Sequence, residues 1–142
     1  MAALLPAAEQ QLFARMPVFD QRHCLDVCQT LERGGYTDPI LLRAALIHDI
    51  GKIDDQGQPI PLVYYGLFVV LRKLAPWLYR RAAADGRGPL RPFAVHVTHE
   101  QRSAERAAAA GCPPELVAVL RDYAAKQPTW AAQALTWADD SN

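Results

Sequence analysis

The sequence predicts an all-α protein, a compact helical bundle with no sheet. Apolar residues recur at three- and four-residue spacing through most of the chain. Prolines and glycines punctuate it at helix-length intervals. No segment sustains the two-residue alternation of a half-buried strand. The 142 residues suit a single domain, 1–142, large enough for a core without disulfides. With 51% hydrophobic and 21% charged side chains, the composition is that of a folded chain, not a disordered one. Its 15 basic and 15 acidic side chains cancel, and no basic run marks a nucleic-acid surface. A phosphate-bearing ligand would need a local cluster or a metal to hold it.

Each element has its own signals. Residues 6–15 form a short helix ended by Pro17. A second, 19–33, carries Leu25, Val27, Cys28 and Leu31 on one face and stops at Gly34-Gly35. TDP at 37–39 starts a third, with Thr37 or Asp38 as N-cap and Pro39 in the first turn. That helix, ILLRAALIHD, runs into Gly51, and DDQGQP at 54–59 is a loop. A long helix follows to about Leu74, and Pro76 breaks it from a second piece reaching about Ala84. DGRGP at 85–89 is a loop. Residues 92–110 are helical and stop at Gly111. Pro113-Pro114 open a helix through Ala125, and Pro128 opens the last, TWAAQALTWAD.

The run IPLVYYGLFVVL at 60–71 is too short to span a bilayer. A buried helix is the expected reading. A membrane-surface or partner-binding helix, continued by LAPWLYRR, is the alternative. Tyr64, Tyr65, Phe68, Trp77 and Tyr79 are expected in the core, although some could stack on a base. Cys24, Cys28 and Cys112 make no disulfide framework and fit a reduced, cytoplasmic protein, with the first two as small core residues. The start, MAALLPAAEQQ, lacks the basic residues and apolar length of a signal peptide.

Four histidines are present: His23, His48, His96 and His99. His96 reads as a satisfied core or surface residue. His48 differs, because Asp49 follows it at the end of an apolar helix, in LIHDIGK at 46–52. Both groups are costly to bury without partners. At a helix end the chain can turn and bring both side chains to one point. Imidazole nitrogen and carboxylate oxygen together suit a divalent ion of the Mn, Fe or Zn type. A histidine on another helix, such as His23, could supply a third ligand.

RH at 22–23 with LIHDIGK at 46–52 resembles the HD-domain superfamily of metal-dependent phosphohydrolases. The stretch HVTHEQRSAERAAAAGCPPELVAVLRDY is similar to that family's later part, with His99 and the small pair Ser103-Ala104 in matching places. LTWADD is similar to the segment that brings a distal aspartate, here Asp139. The resemblance implies an HD-type helical domain with His23, His48, Asp49 and Asp139 around one metal. A second metal would draw on His99 and on Asp122, which stands where two-metal members carry a further histidine. The resemblance also implies hydrolysis of a phosphate ester, of a nucleotide or related small molecule, by attack of metal-bound water. In that scheme Asp49 orients the water or takes its proton, Lys52 and Arg22 meet the phosphate, and His99 ligates or protonates the leaving group. The missing histidine near residues 122–123 keeps open a non-catalytic HD module that binds a nucleotide or metal in a regulatory role. A helical scaffold docking through residues 60–81 is a third reading. Substrate, metal and oligomeric state are not specified.

Overall fold

The computed structural model describes residues 4–142; residues 1–3, part of the stretch read as no signal peptide, lie outside the described residues. It is all-α. Eight helices are described: α1 (Ala7–Arg15), α2 (Val18–Arg33), α3 (Pro39–Ile47), α4 (Leu62–Leu74), α5 (Pro76–Asp85), α6 (Arg91–Ala109), α7 (Pro114–Ala124) and α8 (Trp130–Asp140). Short 3-10 turns cover Ile50–Lys52 and Gly88–Leu90. Among the described residues the only extended pairing is an isolated bridge between Ile53 and Pro59.

The boundaries follow local chemistry. Asp38 caps α3, its Oδ1 accepting from the Leu41 N–H at 2.9 Å, with Pro39 in the first turn. Beyond α2, Gly35 takes φ +85°, a left-handed conformation that glycine tolerates, and Tyr36 N–H bonds back to the Leu31 carbonyl. Ala75 leaves helical geometry just before Pro76, which separates α4 from α5.

The chain divides into two units, Met1–Gly51 with Glu100–Asn142, and Lys52–His99. In the first, α3 packs against α1, α2, α7 and α8. Every α3 residue from Leu41 to Ile47 except Arg43 is buried, so this helix is the middle of that core. Its Leu41 and Leu46 share a core cluster with Leu31, Tyr123 and Leu135 of the surrounding helices. Arg43 is accommodated by a two-point ion pair with buried Glu9 of α1, one contact being Nε to Oε2 at 2.8 Å.

The second unit is built on Phe68, Tyr79 and Phe93, with Tyr64 and Tyr65 against them. Here the expectation of a buried α4 is corrected. Phe68 is its only buried residue, while Leu62, Val63, Leu67, Val69, Val70 and Leu74 are exposed. The unit is small, and its core takes the aromatic face of α4, leaving the aliphatic face outside. Trp77 is corrected as well: at 62% exposure it lies outside the core. His96 stacks on Phe68 with ring centroids 4.3 Å apart and meets the Tyr79 hydroxyl at 2.6 Å, so it is a packed residue.

Candidate metal centre

The expected ligands come from three places in the first unit. His23 is on α2, Asp139 is on the last turn of α8, and His48-Asp49 make the turn after α3. That turn is pinned from α6: the Gly51 N–H donates to Ser103 Oγ at 2.9 Å, and Arg102 Nε donates to the Gly51 carbonyl at 3.2 Å. Ser103 is fully buried, so its hydroxyl must find a partner, and the motif backbone supplies one.

His23 Nε2 lies 2.9 Å from Asp139 Oδ1 and 3.7 Å from Asp49 Oδ2. His48 Nε2 lies 3.4 Å from Asp139 Oδ1 and 3.6 Å from Asp49 Oδ1. The donor atoms of His23, His48 and Asp139 fall within 4.8 Å of one another. Ligand atoms each about 2.0–2.2 Å from one ion stand roughly 3–3.5 Å apart, so these separations suit a shared ion.

His48 is the most informative residue. It is 1% exposed, and its Nδ1 donates to the Ala45 carbonyl at 2.7 Å. That bond places one proton on Nδ1 and makes Nε2 the nitrogen that faces the carboxylates, where a second proton or a metal would sit. Nε2 is buried and makes no hydrogen bond among the described residues. An orphaned imidazole nitrogen of fixed tautomer, facing a histidine and two carboxylates, is the donor pattern of a metal ligand. The residues therefore fit a divalent ion. Cys24, His48 and Asp49 make a second close trio, but there Cys24 Sγ approaches Nδ1 at 3.7 Å, the nitrogen already bonded to Ala45. The first trio is the better ligand set.

Charge follows the same geometry. Burial opposes a proton on His48, but the Asp49 carboxylate, with Cys24 and Asp139, overrides it and raises the pKa well above the ordinary histidine value. Burial likewise pushes Asp139 upward, yet the two imidazoles and the Tyr123 hydroxyl hold it well below the usual carboxylate range.

Tyr123 is the residue that sequence reasoning missed. Its hydroxyl donates to Asp139 Oδ2 at 2.7 Å, leaving Oδ1 for the histidines. Burial and Asp139 raise its pKa far above the ordinary value, so it stays a donor. The available signal was a tyrosine on the apolar stripe of α7, whose buried hydroxyl required an acceptor.

Asp122 and Arg22 are not brought into the cluster. Asp122, next to Tyr123 on α7, belongs to neither trio. Arg22 is exposed and pairs with Asp26 one turn along α2. Lys52 and His99 fall in the second unit. There Lys52 Nζ lies 5.7 Å from the Tyr65 ring centre, and His99 Nδ1 meets the His96 carbonyl at 2.6 Å. No family model matches the chain, and no curated protein or solved structure does either.

Proposed function

We propose that the chain is a metal-dependent phosphohydrolase acting on a phosphate ester, of a nucleotide or related small molecule. The observation that carries the reading is the orphaned Nε2 of His48, buried beside His23, Asp49 and Asp139. His23, His48 and Asp139 would hold a divalent ion of the Mn, Fe or Zn type, with Asp49 adjoining. When bound, such an ion lowers the pKa of water and neutralises charge on phosphoryl oxygens. Asp49 has one oxygen near each histidine, so it can keep one on the ion side and accept a proton on the other. Tyr123 fixes the Asp139 carboxylate, and Ala45 fixes the His48 tautomer. Lys52 and His99 carry no step of this proposal. The resemblance of LIHDIGK and its flanking histidine to HD-domain phosphohydrolases supports the same chemistry.

A second reading, a binding module without turnover, is favoured by one observation. Tyr123, near where two-metal relatives place a histidine, is already engaged with Asp139. Elemental analysis of protein purified without chelator, beside Asp49→Ala, separates the readings when joined to a phosphate-ester screen. Metal retention with hydrolysis, both lost in Asp49→Ala, is the expected result. Full activity in that variant would remove the proposed site. Saturable nucleotide binding with no product above a metal-only blank would establish the binding module instead.

A further inference from the structure

We propose that α4 and the start of α5 dock on an anionic lipid surface, lying in its plane with their apolar face in the headgroup region. Tyr64, Phe68 and Leu71 turn α4 toward the core of the second unit. On the opposite side Val63, Leu67, Val70 and Leu74, at spacings of four, three and four, form one row along the helix. Their exposures are 76%, 42%, 50% and 76%. Leu62 and Val69 flank the row, and Trp77 and Leu78 are exposed on α5. An uncovered apolar face of this extent marks a contact surface.

Charge identifies the occupant. The chain as a whole is neutral, yet residues 56–84 hold Arg72, Lys73, Arg80 and Arg81 and no carboxylate. All four cations are exposed. A second copy of the chain on this face would set cation against cation. An anionic bilayer answers both features: the aliphatic row enters the acyl boundary while the long basic side chains reach the lipid phosphates. Trp77 is the side-chain type favoured at that boundary. No helix among the described residues is long and apolar enough to cross a membrane, so the contact is interfacial.

Flotation of the full chain with vesicles tests this. Phosphatidylglycerol–phosphatidylcholine vesicles should carry the protein. Pure phosphatidylcholine, or high salt, should weaken binding about tenfold or more. Val70→Asp changes an exposed position, so it should keep the helical circular-dichroism spectrum and lose flotation. The Arg72→Glu/Lys73→Glu pair should lose the preference for anionic lipid. With Trp130→Phe and Trp137→Phe in place, Trp77 emission should shift to the blue on vesicle binding. No flotation with anionic vesicles overturns the proposal, as does flotation indifferent to Val70→Asp. A solution dimer that Val70→Asp dissolves, in place of vesicle binding, also overturns it and assigns the face to a second copy.

Discussion

His48 commits one ring nitrogen to the backbone and withholds the other, and this division organises the whole cluster. Ala45 holds one proton on Nδ1, so Nε2 is the ring nitrogen left to face the carboxylates. Tyr123 does the matching work on Asp139. Tyr123→Phe should therefore leave the core filled and lower metal affinity by about 10–100-fold, the usual effect of losing such a partner. Calorimetric titration with zinc or manganese reads it directly, and an unchanged affinity would show that Asp139 needs no orienting bond. A proton belongs to the same equilibrium. Burial opposes a second proton on His48, but the facing Asp49 carboxylate outweighs it and raises the pKa well above the ordinary histidine value, which favours that proton in the metal-free protein. Metal must displace that proton, so affinity should fall as pH falls. Titrations in buffers of different ionisation enthalpy should reveal proton release on binding. The residues read from the sequence were those whose type alone is conspicuous: a histidine and aspartate closing an apolar helix, and a histidine and aspartate far away along the chain. Tyr123 was not read as part of the site, because it looks like ordinary helix filling until its neighbours are known, and Ser103 was read only as a small residue of the motif and not as the partner of the Gly51 N–H.

Among the elements, the helix ends were the most legible part of the fold. Capping side chains, prolines and glycines act within a few residues, so Asp38, Gly34-Gly35, Pro76 and Gly111 each announce a boundary locally. Which face of a helix is covered is not local. In α4 almost every position is apolar, and only the aromatic core of its unit decides that Phe68 goes inside while Val63 and Val70 stay out. Pairing between helices is equally non-local, and Glu9 with Arg43 is the clearest case. The ion pair ties α1 to α3 with Glu9 1% exposed. Its hydrogen bond holds the guanidinium pKa above the ordinary arginine value. Glu9→Ala leaves a largely buried cation without its partner, which should cost about 3–5 kcal/mol. Chemical denaturation measures the loss. If Arg43→Met restores most of it in the double variant, the penalty lies in the stranded charge and not in packing.

At the scale of the whole chain, the site closes a long loop: His23 and Asp139 meet across 116 positions of sequence. Metal that binds this arrangement but not the unfolded chain must stabilise it, by about 2.7 kcal/mol at a hundred times Kd. Melting temperature should rise with metal concentration and fall back with chelator. In the metal-free protein two titrations bound the stable range. The pKa of Asp139 is depressed, so its contribution is complete above about 3.8 and is lost as pH falls toward the folded value. The pKa of His48 is raised, so its contribution is complete below about 6.5 and is lost as pH rises through the folded value. Both are fully present only between those limits. Metal-free protein should therefore melt highest in mildly acidic buffer and lose stability in alkaline buffer. Bound metal takes the place of the His48 proton, so the alkaline loss should vanish in the loaded protein. Thermal melts across pH, with and without metal, decide the matter. A metal-free melting temperature that keeps rising through neutral into alkaline pH would mean that His48 is neutral and uncoupled from its carboxylates.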